Sequence, residues 1–296
     1  MSLSELRCFD AVAQTGSFSE AAKFLLRSQP TVTIQVAQLE KQYGMELFHR
    51  KRGQKIVVSD FGLQLHQITR RLFALERDAI TYLKNGSDLT TGHLRIGASA
   101  PNMPARFIPS FKELYPGVHV SLVMGNSQAV LDDVEACRVD IGFLGGSGDF
   151  SNCYSLPLLR PEIVLLAHVN HPAAKRGVIS AEEFSSETLL LREKGSETRE
   201  LFMSQLENSN YKPKTTIEIS SREGVCTAAG AGLGLAIISM DEILQGFGTK
   251  IVRFQDFSIF GQTQVICLKE RLDSKMIRTF LNVADTEVSN ISVDLV

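Results

Sequence analysis

The stretch from Leu26 to Gly44 reads LRSQPTVTIQVAQLEKQYG and carries side chains suited to reading nucleic acid. Gln29, Thr31, Thr33 and Gln38 can hydrogen-bond base edges, while the threonine methyls and Ile34 can touch a thymine methyl. Helical spacing brings them together. Val32, Val36, Leu39 and Tyr43 fall at i, i+4, i+7 and i+11 and form the stripe expected to be buried, which leaves Gln29, Thr31, Thr33, Ile34, Ala37, Gln38 and Lys41 opposite. Ser28 can cap the amino end, and Pro30 is tolerated in the first turn because its missing N–H would be unpaired there. A helix presented by that end suits phosphate. A solvated surface helix would carry Thr and Gln as well, so the neighbouring elements must separate the two readings.

Upstream, GSFSEAAKFLL predicts a first helix whose small Ala21 and Ala22 allow a second helix to pack closely, and LRS is a short turn: a helix-turn-helix pattern. Downstream, LFHRKRGQKIVVS predicts a β-hairpin with Gly53 at its turn. Its Arg50, Lys51 and Arg52 would lie as a wing on the DNA backbone or minor groove. From Asp60 to Lys84 the residues Phe61, Leu65, Ile68, Leu72, Leu75, Ala79 and Leu83 recur every three or four positions. Spacing near 3.5 is a pairing seam, and a paired chain offers two recognition helices to two half-sites. In that company the β-branched Thr31, Thr33 and Ile34 make sense: helix propensity is given up for a face that reads DNA. NGSDLTTG (Asn85 to Gly92) then breaks the helix as a linker would.

Beyond Gly92, short apolar strands (HLRIGA, VHVSLVM, DIGFLG, EIVLLAH, TLLLR, TIEIS, LGLAIIS, TQVICLK) alternate with helical patterns such as QAVLDDVEAC and SETRELFMSQLEN. Such alternation predicts α/β units on mostly parallel sheets. Four segments, GASAPN, GNSQ, REKGSET and SSREG, place a polar loop between a strand end and a helix start. Ligands in α/β sheets collect outside the carboxyl ends of strands, and helix N-termini offer N–H groups to anions. Ser99, Asn102, Asn126, Ser127, Ser196 and Thr198 are therefore candidates to converge on one small anionic molecule, with Arg199 and Arg222 adding charge-assisted bonds. Alternatively, each Ser or Asn only caps its own helix.

Composition narrows the class. With 296 residues and 44% hydrophobic composition the chain can bury two or three domains' worth of core. No apolar run reaches 18 residues and the start MSLSELRCFD lacks signal-peptide features, so the cytoplasm is the expected compartment, with no membrane partner. The net charge of −2 hides an asymmetry: through Asp88 twelve bases face nine acids (+3), and beyond it nineteen face twenty-four (−5). Between Lys41 and Lys55 five bases face one acid, the local density a polyanion contact needs. Five scattered cysteines without a C-x-x-C suggest neither disulfides nor zinc. Cys226 has no neighbouring cysteine in sequence, which argues against thiol sensing. GAGLGLA (Gly230 to Ala236) resembles half a dinucleotide fingerprint but follows a helix and precedes a strand, the reverse of what a phosphate turn needs. His168 and His171 lack a third ligand, so neither a metal nor a cofactor is expected, and no enzyme motif appears. A solute-binding transport protein would match the second half alone, but the helix-turn-helix argues against it.

FDAVAQTGSFSEAAKFLLRSQPTVTIQVAQLEKQYGMELFHRKRGQKIVVSDFG resembles the amino-terminal domain of LysR-type transcriptional regulators. The resemblance continues in order through GHLRIGAS, FKELYPGVHVSLVMGNS, VDIGFLG, HPAAKRG, GSETRELF and SREGVCTAAGAGLGLAIIS. It implies an all-α winged helix-turn-helix (1–59), a linker helix and hinge (60–91), and an α/β effector-binding domain (92–296) like a periplasmic binding protein. That last domain would comprise two Rossmann-like subdomains, 92–161 with 268–296, and 162–267. It further implies promoter DNA with an interrupted palindrome, a dimer assembling to a tetramer, RNA polymerase as a partner, and an effector pocket between the subdomains. Thr33 stands where Ser is usual and Ile34 where a polar residue is common, departures that bear on the bases read. GNSQAVL, REKGSETRELF and ISSREGV are also similar to members associated with aminoethylphosphonate use.

Overall fold

Serines open the first three helices. In a computed structural model that describes residues 1–49, 56–85, 89–146, 150–207, 209, 211–243 and 246–293, Ser2, Ser17 and Ser28 each accept a bond from the backbone N–H three residues on. These caps start α1 (Leu3–Thr15), α2 (Phe18–Phe24) and α3 (Gln29–Tyr43). The chain divides into two compact units, Met1–Leu83 and Lys84–Val296.

In the first unit, Phe9, Val12, Ala21, Val32, Val36 and Phe48 are buried, and Ala21 and Ala22 sit at the helix contact as their size predicts. Val32, Val36 and Leu39 form the buried stripe of α3, but Tyr43 does not join it. It is 52% exposed, because Gly44 (φ +65°) turns the chain away in the left-handed region one residue later. Strands β1 (Phe48–His49) and β2 (Val57–Val58) pair antiparallel as the expected hairpin. Its arm is fixed from α3: Glu40 Oε1 accepts from the N–H groups of Leu47 (2.9 Å) and Phe48 (3.3 Å). The turn, with Arg50, Lys51, Arg52 and Gly53, lies outside the described residues.

Helix α4 (Asp60–Asn85) opens at Ser59, whose Oγ donates to Glu46 O (2.6 Å) and accepts from Gly62 N (3.0 Å). One face, Gly62, His66, Thr69 and Phe73, is turned into the winged domain. Asp10 Oδ1 on α1 accepts from His66 Nδ1 (2.9 Å) and Thr69 Oγ1 (2.6 Å), and Arg7 bridges to Glu76 while lying over the Phe73 ring. Phe61, Ile68, Leu75 and Leu83 of the seam are exposed. Leu65 and Leu72, expected on the same seam, are half-buried against this unit's own core, because they stand one position from its buried face.

The second unit contains two sheets. The first is ordered β4 (Val118–Met124), β3 (Gly92–Ala98), β5 (Ile141–Gly145), β14 (Thr263–Leu268), β6 (Cys153–Leu159). It is covered by α5 (Asn102–Ala105), α6 (Ile108–Leu114), α7 (Ser127–Glu135) and α12 (Lys275–Val293). The second is ordered β10 (Thr215–Glu218), β9 (Thr188–Leu191), β11 (Leu235–Ser239), β7 (Glu162–His168), β12 (Thr249–Phe254), β8 (Val178–Ile179), with β13 (Ile259–Phe260) on β7. Its helices are α8 (Pro172–Arg176), α9 (Ala181–Phe184), α10 (Glu197–Glu207) and α11 (Arg222–Gly230).

The sheets are mixed rather than mostly parallel. Strands β3, β4 and β5 are parallel, as are β9, β10 and β11, but β14 runs against β5 and β7 runs against β11. Parallel neighbours need a crossover from the far end of the sheet. β7 and β14 arrive instead straight from the other sheet through residues 160–161 and 261–262, so they begin at the cleft where the parallel strands end. Strand β14 belongs to the first sheet, which moves the expected return crossing from 267–268 to 261–262. The paired register of Val265 and Ile266 with Phe143 and Gly142 fixes that placement, and no local pattern reveals it.

Candidate functional site

On α3 the polar face is presented to solvent: Ser28, Gln29, Pro30, Thr31, Ile34 and Gln38 are exposed and Thr33 is half-buried. Its hydrogen-bonding groups are already oriented. Ser28 Oγ lies 2.7 Å from Thr31 Oγ1, Thr33 Oγ1 donates to Gln29 O (3.0 Å), and Ser19 Oγ on α2 donates to Gln29 Oε1 (2.9 Å). The last contact leaves the Gln29 amide nitrogen to point outward as a donor. Sequence reasoning passed over Ser19, since a Ser in a helix's first turn looks like ordinary surface. Arg27 is turned to the body of the domain, with Nη1 donating to Ser4 Oγ (2.8 Å).

In the second unit the strand ends of both sheets face a cavity of about 40 Å³. Ser99, Asn126, Ser127, Ser196, Thr198 and Arg222 line it; Asn102 and Arg199 do not. Asn102 Nδ2 donates instead across the cleft to the backbone oxygen of Asp241 and borders a smaller neighbouring cavity. Arg199 Nη1 turns back to Arg192 O (2.6 Å) and Glu218 Oε2 (2.6 Å), because its position on α10 faces β10. Asn126 both caps α7 and donates to Lys194 O (3.2 Å) in the other subdomain, so one side chain closes a helix start and bridges the cleft.

Charge in the cleft is largely spent internally. Arg222 Nε donates to Glu242 Oε2 (2.8 Å) and its Nη2 to Ser99 O (2.7 Å) across the cleft. Arg192, which the sequence did not single out, lines the cavity and forks onto Glu193 with two 2.8 Å bonds. Burial pushes the Glu242 carboxyl up, and Arg222 offsets only part of that. Burial likewise works to raise Glu193, but its bonds to Arg192 prevail and hold it below the usual range. Glu197 also lines the cavity, its carboxyl raised first by burial and then by Glu200. Glu197 stood inside the quoted REKGSET segment and carried a signal; Glu242 and Gln262 carried none, reaching the cleft only through the packing of distant segments.

The glycines of GAGLGLA do not form a phosphate turn. Gly230 ends α11, and a Cβ at Gly234 would stand 2.3 Å from Thr188 O, so that glycine lets β11 approach β9. All five cysteines are buried, with burial pushing the Cys153 thiol to about 11 and the Cys267 thiol to about 12. Such thiols stay protonated at neutral pH.

Two family models match the chain. The bacterial regulatory helix-turn-helix protein, lysR family, matches residues 3–63, and the LysR substrate binding domain matches residues 87–289. The chain belongs to the LysR family of transcriptional regulators. This LysR-type regulator is 29% identical over 285 residues to the HTH-type transcriptional activator CmpR of Synechocystis sp., covering 95% of this chain and 93% of that protein. Full-length CbnR in complex with its target DNA superposes with a TM-score of 0.69 at 18% identity, over 97% of this chain and 100% of that one. The regulatory domain of CcmR from Synechocystis PCC6803, in complex with 2-PG, superposes with a TM-score of 0.62 at 23% identity, over 67% of this chain and 98% of that one. These relatives are regulators of transcription, not enzymes. Among the described residues no helix is long and apolar enough to cross a membrane.

Proposed function

We propose that this DNA-binding regulator changes its hold on a promoter when a small metabolite with an anionic group binds between its two receptor subdomains. The observation that carries the reading is the start of α10. Ser196 is 5% exposed and borders the cavity beside Thr198, and neither hydroxyl has a hydrogen-bond partner among the described residues. Aligned N–H groups at a helix start add partial positive charge where an anion would sit. The ligand named for the CcmR domain lends the cleft reading support at the level of fold.

The cavity of about 40 Å³ holds no more than a few water-sized atoms, so a metabolite enters only when the subdomains part. A ligand shifts that balance by its difference in affinity for the two arrangements, and the shift reaches DNA through the chains' pairing. We assign base contacts to Gln29, Thr31, Thr33, Ile34 and Gln38, and phosphate contacts to the helix start at Ser28 and Pro30 and to Arg50, Lys51 and Arg52. The exposed apolar residues of α4 support a dimer, and the cleft domains a further pairing to a tetramer on an interrupted palindrome. RNA polymerase is the onward partner and the cytoplasm the compartment. The boundaries 1–59, 60–91 and 92–296 divide these tasks. Replacing Thr198 with Val removes one of the spare hydroxyls; calorimetry with small anions, paired with footprints in their presence, should show binding and response in the wild type and neither in the variant. A normal response from the Thr198→Val protein would refute the site.

A further inference from the structure

We infer that His93 and His119 form a binding site for a divalent transition-metal ion, copper(II) or nickel(II), on the surface of the first receptor sheet. The site stands at the amino-terminal ends of β3 and β4, about 20 Å along the strands from the loops that line the cleft, and it does not depend on what the cleft binds.

The two histidines are 26 residues apart in sequence and adjacent in the fold. Strands β3 and β4 run parallel with His93 opposite His119, so both side chains leave the same face of the sheet. Their ring centres are 4.6 Å apart with the planes inclined at 56°, and both residues are exposed. Ser121, two residues along the same face, has its Oγ 2.8 Å from His93 Nε2. When that oxygen accepts from Nε2, it fixes the tautomer whose lone pair is on Nδ1, as a hydrogen bond behind a metal-bound imidazole does.

The spacing of the rings is that of a shared ion. A metal held at about 2.0–2.1 Å by one nitrogen of each imidazole lies about 3.2 Å from each ring centre, so an angle near 90° at the metal places the centres about 4.5 Å apart. A tetrahedral angle would place them about 5.2 Å apart. The separation of 4.6 Å therefore suits square-planar or tetragonal ions better than zinc. An exposed imidazole turns about χ2 at little cost to aim its nitrogen at the shared point. Hard cations such as magnesium take oxygen ligands in octahedral geometry instead.

Facing rings on neighbouring strands stabilise a sheet by themselves, which would account for the contact without a ligand. That does not account for imidazole at both positions, where Val, Ile, Tyr or Phe fits a strand surface better. Two cations close by are engaged elsewhere. Arg95, next along the face from His93, forks onto Asp140 through Nε (3.0 Å) and Nη2 (2.6 Å), and Lys112 Nζ donates to the carbonyl oxygens of Pro116 (2.8 Å) and Val118 (2.6 Å). Among the described residues no group of three or more potential ligands occurs, so water completes the coordination and the ion exchanges with solvent. Bound there, it ties the edge strand β4 to β3.

Calorimetry with nickel(II) chloride on the full-length protein, prepared without a histidine tag and freed of metal with a chelator, tests this. The wild type should bind one ion per chain with a dissociation constant at or below about 0.1 mM, and copper(II) should bind more tightly still. Magnesium chloride should not bind. His93→Gln and His119→Gln should each weaken nickel binding at least about tenfold, and Ser121→Ala at least about threefold. Saturating nickel should raise the melting temperature of the wild type and leave that of either histidine variant where it was. Both positions are exposed, so weakened binding with an unchanged metal-free melting temperature reports on the ligands and not on folding. Wild-type binding weaker than about 1 mM would overturn the site. Unchanged affinity in either histidine variant would do the same, by placing the ion elsewhere.

Discussion

Gln29 is held before any DNA arrives. Ser19 fixes its Oε1, so its amide nitrogen is presented as a donor at little further entropy loss on binding. Replacing Gln29 with Ala should relax preference at one base pair by about 1–3 kcal/mol, read by anisotropy titrations against operator variants. Ser19→Ala should reproduce part of that relaxation; unchanged base preference in both would remove Gln29 from the base-reading set. Lys51→Ala should instead weaken all sequences alike and lower the salt slope by about one unit. At the cleft, Arg222→Met would leave the buried Glu242 without its cation and should cost about 3–5 kcal/mol in urea unfolding, most of it recovered in the double variant with Glu242→Gln. At this scale the sequence was informative about residue type and less so about pairing. Ser196 and Thr198 were legible from helix-start chemistry, whereas Arg199 and Arg222 were chosen as charges without sight of Glu218 and Glu242, which lie 19 and 20 residues away.

Helix α4 shows how two faces can share one heptad-like pattern. Its apolar spacing was legible because 3.5-residue periodicity survives in any sequence, but the orthogonal face of Gly62, His66 and Thr69 was not, being small and polar. That face works through close approach: a Cβ at Gly62 would meet Leu47 O at 2.3 Å. Gly62→Ala should therefore lower the melting temperature of the protein through displacement of β1 from α4, although alanine is the better helix former. Ile68, 63% exposed, tests pairing more cleanly than Leu72, which also packs on its own domain. Ile68→Asp should release monomers in sedimentation, and a variant that remains fully dimeric would refute the seam. In the receptor, Asp140 joins β3 to the end of β14, accepting from Arg95 and Arg271. Burial alone would raise its pKa, but the two guanidiniums more than offset that and hold it below the usual range. A depressed carboxylate contributes stability above its unfolded pKa of about 3.9 and loses it as pH falls through the folded value. Asp140→Asn should thus be destabilised at pH 7, with the gap to wild type narrowing below about pH 4 in urea titrations. Strand direction was the element-scale feature hidden from sequence: β7 and β14 read like their parallel neighbours, and only the two crossings reverse them.

In the whole molecule, the proposed function couples the DNA-binding face and the cleft through one conformational balance. If effector raises operator affinity by some factor, operator must raise effector affinity by the same factor. Under the proposed function, parting of the subdomains would break bonds that cross the cleft, among them Arg222 to Ser99 O, Asn102 to Asp241 O, Asn126 to Lys194 O and Gln128 N to Gly195 O, and these would set how readily the receptor opens. The most direct test is a footprint of the full-length protein on the intergenic DNA beside its gene, taken with and without each small molecule that calorimetry shows to bind. Two separated protected segments should appear, and the pattern at one of them should change when the ligand is added to the wild type but not to Thr198→Val. Protection that is absent at physiological salt, or identical with and without a ligand known to occupy the cleft, would contradict the account.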